Sequence, residues 1–421
     1  MKNFLKLNTT LVIASLFIGC GSSHDVAINS KNIRSVSTTQ EVQNDGISYL
    51  NDLRGSLGMI PLFQEAHLEN AASNHARYLT ENNIFSHYES ATASYFSGVT
   101  PALRAVNAGY QHQNVGENIS SGNVDVKDSI DTLFSAIYHR FGFLDFRYDE
   151  VGIGFSQNDV YAYGNVYNYN MGISPLRVLC EGEGVVRAGS YYENVCVDSR
   201  KQISVASYEN ALAKNVLQNP SLIVWPRDGA LDISPVFYEE SPDPLPECSV
   251  SGYPISISFN PLKSGTIMID SFKLYDGNNQ EIKDVKLMDK GSDHNGHFSD
   301  KEFALFPMKR LAWDSDYHVE IDYHDRDVVK REVVDFHTKA LPYPSHTVQS
   351  VGVVIEVPAN ETHVFYLPPR DCNDKLTTFS ASGVGSSLSF YDANTIMITA
   401  SSKGTLKVSP SDGRDFTLIV R

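Results

Sequence analysis

Apolar residues recur at spacings of three and four in the first part of the chain, and at every second position over much of the rest. Between Ile47 and Leu57 an apolar face precedes Gly58 and Pro61, which stop a helix. From Glu65 to Asn82, the residues Leu68, Ala71, Ala72, Ala76 and Leu79 line one side of an amphipathic helix that packs through small side chains. Asp125 can cap a third helix, with Ile130, Leu133, Phe134 and Ile137 on one face and His139 and Arg140 at its end. Val151–Phe155 and Val160–Asn170, rich in β-branched and aromatic residues, predict strands. Helices followed by antiparallel strands imply an α+β or layered α/β/α unit.

Residues 173–218 form a connector with a short helix over Ser207–Leu217. From Asn219 the period changes to two. Pro254–Phe259, Thr266–Asp270, Tyr317–Ile321 and Val333–Phe336 alternate between turns built of Gly, Asn and Asp, which predicts a β-sandwich over 219–340. A smaller β-rich unit follows over 345–421, with strands at Thr395–Thr399 and Thr405–Val408. No repeat of fixed period runs through the chain.

Residues 1–19 read as an address. Lys2 and Lys6 precede the apolar run Leu11–Ile18, too short to span a hydrocarbon core that needs about 20 residues. The run ends in Gly19-Cys20, then polar residues. This resembles a bacterial lipobox, which implies cleavage before Cys20 and acylation of that residue. Several acyl chains at ~0.8 kcal/mol per methylene anchor firmly. Residues 20–45, poor in apolar side chains, read as a tether, and the body is expected outside the cytoplasm, facing the periplasm or the cell surface.

The composition is that of folded protein, 42% hydrophobic, but the net charge is −16. A surface so acidic repels phosphate backbones, which argues against nucleic-acid binding and against electrostatic docking on anionic lipid. With Cys20 acylated, four cysteines remain in an oxidising compartment. Three disulfide pairings are open. The short Gly-rich interval makes Cys180–Cys196 the first choice, leaving Cys248 with Cys372. No HExxH, GxSxG, Walker loop, or GxGxxG after a strand is present.

Three stretches of 46–172 hold polar groups that could carry chemistry: Phe85-Ser86-His87-Tyr88-Glu89, Val115-Gly116-Glu117-Asn118-Ile119, and Ile137-Tyr138-His139-Arg140. Two imidazoles and a carboxylate suit a borderline metal such as zinc, with a fourth position for water. Together with Leu50-Asn51, Arg54, Pro61-Leu62, Ala71-Ala72, His75-Ala76, Thr100-Pro101, Arg104, Gly109-Tyr110 and Val151-Gly152-Ile153-Gly154, these residues resemble, in order, the bacterial branch of the CAP superfamily. That superfamily is named for cysteine-rich secretory proteins, antigen 5 and pathogenesis-related proteins. The resemblance implies an α/β/α sandwich over 46–172 with a cleft lined by histidines and glutamates. It assigns His87, Glu117 and His139 as ligands of a divalent metal, zinc first, and Glu117 as the candidate catalytic group. The family's second glutamate has no match, since Ala136 lies near its position. Glu89 is a candidate substitute but reads as a solvated loop carboxylate. Gly116 is expected to allow a close backbone approach, and Arg104 to form a structural ion pair. Asp293–His297 and Asp322–Asp327 read as loop and hairpin turns. Residues 219–340 resemble the Ig-like domains that accompany some bacterial members.

The expected protein is multidomain: an α+β CAP unit, an Ig-like β-sandwich and a β-rich C-terminal unit. The expected function is binding, of a metal or a small polar or lipid ligand in the cleft, by a membrane-anchored protein that can also meet a cell-surface partner. The alternatives are a zinc-dependent hydrolase using the same cleft, and a structural or adhesion protein.

Overall fold

The computed structural model describes residues 38–158, 164–182 and 189–421. The leader at 1–19, Cys20, the tether as far as residue 37, and part of the strand expected from Val160 lie outside the described residues.

The first unit comprises α1 (Thr39–Ser56), β1 (Phe63–Gln64), α2 (Ala66–Asn82), α3 (Pro101–Asn107), β2 (Gly116–Ser121), α4 (Val126–Ser135), α5 (Ile137–Phe143), β3 (Glu150–Gln157) and β4 (Asn165–Gly172). Its sheet runs β1-β3-β4-β2, with β1 parallel to β3 and the other pairs antiparallel. Helix starts follow the side chains. Thr38 and Glu41 close a capping box on α1, and Glu65, Thr100 and Asp125 cap α2, α3 and α4. The helix expected to run from Asp125 to Arg140 is broken. Ala136 is extended, with ψ at 116°, so His139 belongs to a separate helix, α5, with no side-chain cap of its own.

The sheet is covered on both faces. Alternation along β3 turns Val151 and Ile153 into the core shared with α1 and α4, and turns Gly152 and Gly154 toward α2. A Cβ on Gly152 would stand 2.0 Å from the Glu69 nitrogen, so α2 lies directly on the strand. Gly116 meets the same constraint, since a Cβ there would come within 2.7 Å of the Tyr148 hydroxyl. Buried Arg54 donates to the carbonyls of Ile60, Phe143 and Tyr148, tying α1 to the chain before β1 and to the end of α5.

The connector holds α6 (Ser174–Glu181), a helix the pattern did not reveal, the short strands β5 (Tyr191–Tyr192) and β6 (Ile203–Ser204), and α7 (Val205–Gln218). The disulfide Cys180–Cys196 closes it. Next come β7 (Leu222–Trp225), β8 (Ala230–Ile233), β9 (Ile255–Phe259), β10 (Ile267–Asp276), β11 (Val285–Met288), β12 (Glu302–Pro307), β13 (Asp316–Asp325) and β14 (Val328–Thr338). They make two four-stranded sheets, β11-β12-β9-β7 and β10-β13-β14-β8. Ser256 and Ser258 alternate with apolar residues yet are buried. Arg140 of α5 donates to Ser256 Oγ and to the Pro254 carbonyl, so β9 is covered on both faces.

Eight further strands follow: β15 (Ser345–Thr347), β16 (Val353–Val357), β17 (Thr362–Tyr366), β18 (Phe379–Gly383), β19 (Ser386–Asp392), β20 (Thr395–Ala400), β21 (Gly404–Pro410) and β22 (Phe416–Val420). They form sheets β15-β17-β20-β19 and β16-β22-β21-β18 around a separate core. The disulfide Cys248–Cys372 and the bidentate Arg310–Asp392 pair join this unit to the preceding one. The first unit and the first sandwich share one apolar core, in which Phe134 meets Trp225 at 4.8 Å between ring centroids.

Candidate functional site

Five charged or titratable side chains meet on the α2 face of the first sheet. Glu117 projects from β2, an edge strand, toward α2 and α3. Arg104, on α3, places NH2 at 2.7 Å from both Glu117 carboxylate oxygens. His87 Nδ1 lies 2.8 Å from Glu117 Oε1, and Asn168 Nδ2 donates to Oε2 at 3.0 Å. His75, on α2, contacts Glu89 Oε1 through Nδ1 at 2.8 Å and the Ser86 carbonyl through Nε2 at 3.0 Å. All five of His75, His87, Glu89, Arg104 and Glu117 are buried.

Burial pushes the Glu117 carboxyl up, but Arg104, His75 and His87 outweigh it and hold the group well below the usual carboxylate range. Glu89 is likewise penalised by burial and brought down by His75 and the Ser97 amide. Burial lowers the His75 pKa against the pull of Glu117 and Glu89. Yet both of its ring nitrogens face oxygens, and a neutral ring would turn a bare lone pair on one of them. The doubly protonated ring is the form these contacts fit. Arg104 is the permanent cation of the cluster, 2.7 Å from Glu117 and 3.8 Å from Glu89.

The same groups anchor the segment 84–100. Glu89 accepts from the amides of Ser97 and Gly98. Arg104 NH1 donates to the carbonyls of His87 and Gly98, and Asn107 to that of Ser97. Tyr78 Oη accepts from the Ser90 amide, and Asn82 donates to the Ser94 carbonyl. Above this frame Tyr88, Tyr95, Phe96, Val99 and Leu103 are exposed. Glu89 is therefore no solvated loop carboxylate, because its buried oxygens organise the loop from beneath.

His139 is placed differently. Fully buried on α5, its Nδ1 lies 3.0 Å from Oε2 of Glu240, which belongs to the first sandwich. Glu240 also accepts from the backbone amides of Ile137 at 2.6 Å and Tyr138 at 3.2 Å, and so caps α5 from another unit. Asn118 donates to the His139 carbonyl on the sheet face opposite Glu117. The structure thus brings His87 and Glu117 into contact and gives His139 a carboxylate partner of its own. Among the described residues no three His, Cys, Asp or Glu side chains are grouped as a metal site. In this arrangement Glu117 receives Arg104, His87 and Asn168.

Sequence reasoning singled out His87, Glu117, His139 and Arg104, and quoted His75 without giving it a role. It missed Asn168 and Glu240. Asn168 faces Ile119 across the β2–β4 pair, a register no local pattern reveals. Glu240 lies 101 residues from His139 in an irregular stretch and carries no motif.

A model of the cysteine-rich secretory protein (CAP) family matches residues 47–170. No curated protein matches. Among solved structures, similarity is found to an outer surface protein from Borrelia burgdorferi, at 19% identity over 32% of this chain and 95% of that one, with a TM-score of 0.28. An extracellular protein containing an SCP domain from Bacillus anthracis is 20% identical over 33% of this chain and 44% of its own, with a TM-score of 0.26. A cysteine-rich secretory protein from Staphylococcus aureus is 18% identical over 33% and 40%, also at 0.26. The chain spans less than half the length of the last two.

Proposed function

Because residues 47–170 form a CAP domain, we propose that the chain is an extracytoplasmic binding protein, anchored through Cys20, that meets its ligand at the apolar rim of segment 84–100. The observation that carries this reading is the rim itself. Tyr88, Tyr95, Phe96 and Val99 stand exposed on a loop pinned by buried charges, and Leu103 is exposed on α3, which follows it. A closely bonded buried network holds its loop rigid, and a rigid loop loses little entropy on binding. The occupant that suits such a rim is an amphipathic molecule, its apolar part on Phe96 and Leu103. The two disulfides suit an oxidising compartment. The reading of the middle unit as Ig-like is supported by its strand order. Strands β7, β9, β12 and β11 oppose β10, β13 and β14, as A, B, E and D oppose C, F and G in that fold.

The test is a thermal-shift series of the chain from residue 21 with fatty acids, lysophospholipids and sterols. A ligand at a hundred times its Kd stabilises by about 2.7 kcal/mol. The reading requires at least one such ligand, with the shift lost in Phe96→Ser/Leu103→Ser. If no ligand shifts the wild type, or the double variant responds equally, the rim is not the site.

A hydrolase would need Glu117 as a base, and Arg104 makes it a weak one. The zinc expected at His87, Glu117 and His139 would require Arg104 to yield a Glu117 oxygen, while Glu240 could remain on His139 Nδ1 as the carboxylate that orients the ring. One equivalent of zinc in the purified chain, lost on His87→Ala, would establish that rearrangement and this alternative.

A further inference from the structure

The C-terminal unit, remote in sequence from the CAP site, carries a histidine pair. His346 lies on β15, an edge strand, and His363 on β17. The two strands pair in parallel with His346 opposite Phe365, so His363, two residues earlier, is its diagonal neighbour on the same sheet face. His346 Nε2 and His363 Nδ1 are 3.1 Å apart. Phe365 stacks on His346 with ring centroids 5.1 Å apart and planes at 19°, fixing the imidazole from behind. His363 is buried, and its other nitrogen, Nε2, has no hydrogen-bond partner. The Glu361 carboxylate stands 3.8 Å from that nitrogen.

Two imidazole nitrogens facing each other can hold one proton between them. The neutral ring is the form in which imidazole binds metal. Two nitrogens on one ion at ~2.05 Å lie about 2.9 Å apart at a right angle and about 3.3 Å apart at the tetrahedral angle. The observed separation falls between these values. The Glu361 carboxylate, 3.8 Å from the far nitrogen, adds a nearby negative charge that favours a cation on the pair.

We propose that His346 Nε2 and His363 Nδ1 bind one divalent transition-metal ion of the imidazole-preferring class, zinc, copper(II) or nickel, with Glu361 supplying negative charge nearby. Among the described residues no third His, Cys, Asp or Glu joins them as a ligand, so water completes the coordination. The ion would staple β15, the first strand of the last unit, to β17.

The test is calorimetric titration of the mature chain with zinc chloride and copper(II) chloride, with copper spectra recorded by electron paramagnetic resonance. One equivalent is expected, with hyperfine structure from two nitrogens. His346→Ala, at a half-buried edge position that the fold tolerates, loses the site. Glu361→Gln weakens it by removing the nearby negative charge. His87→Ala leaves it unchanged, which separates this site from any metal in the CAP unit. Retention of the equivalent in a folded His346→Ala chain overturns the proposal, as does loss in His87→Ala alone or absence of uptake by the wild type.

Discussion

Replacing Glu240 by alanine removes one side chain from the sandwich and exposes three donors in the CAP unit. The Ile137 amide, the Tyr138 amide and His139 Nδ1 all lose their acceptor in a site closed to solvent. Each unsatisfied buried donor costs about 1–3 kcal/mol. The three are neighbours and do not add fully, so a loss of about 3–5 kcal/mol is expected. Glu240→Gln keeps an acceptor oxygen and gives up only the charge assistance, costing about 1–2 kcal/mol. Denaturant unfolding followed by tryptophan fluorescence reads both, because Trp225 sits in the shared core and reports the first two units together. Amide exchange should localise the effect, with protection at Ile137 and Tyr138 falling before that of α2. If Glu240→Ala lies within about 1 kcal/mol of wild type, or exchange at α5 is unchanged, the cross-unit cap is not what holds α5.

Three further outcomes follow from other contacts. His112 is buried with Nε2 near the Ile173 carbonyl and Nδ1 accepting from the Asn114 amide, and burial drives its pKa down to about 3. A depressed pKa means the unfolded chain takes up the proton first. The His112 contribution is thus fully present above about pH 6.5 and lost on acidification toward pH 3, by up to ~1.4 kcal/mol per unit. His112→Gln should flatten the stability–pH curve over that interval. Gly152→Ala drives a Cβ into the α2 backbone and should destabilise by more than about 3 kcal/mol in thermal unfolding. Cys20→Ala expressed in a bacterial host should incorporate no labelled fatty acid and appear in the soluble fraction. Membrane retention of that variant would remove the lipid anchor from the account.

The helices α2 and α4 were legible from their periodic apolar faces, with Asp125 capping α4 ahead of Ile130 and Leu133, whereas Thr39–Asp45, the start of α1, reads as tether because it is poor in apolar residues. The strands of the sandwiches were legible where apolar and polar residues alternate, as in β13 and β9, although the serines of β9 are buried rather than solvated. The break at Ala136 was not legible. Nothing local stops that helix, and the group that starts the next one comes from Glu240. The same physics divides the candidate site. His87 and Glu117 are matched by short motifs at the end of a helix and on an edge strand. The pairing of His139 is fixed by how one unit docks on another. The partner chosen by Arg104 depends on α3 crossing above β2, which spacing alone does not state.

The central claim is that Arg104 supplies the positive charge around which Glu117 and His87 are arranged. It is tested most directly by a double-mutant cycle of Arg104→Met and Glu117→Gln, with unfolding free energies measured with and without a chelator. Each single variant strands a buried charge and should lose about 3–5 kcal/mol. The double variant should recover at least about 2 kcal/mol of the summed loss, and chelator should leave that coupling energy unchanged. Additive losses, or a wild type that chelator destabilises as much as Glu117→Gln does, would contradict the claim and place a metal ion where the guanidinium is seen.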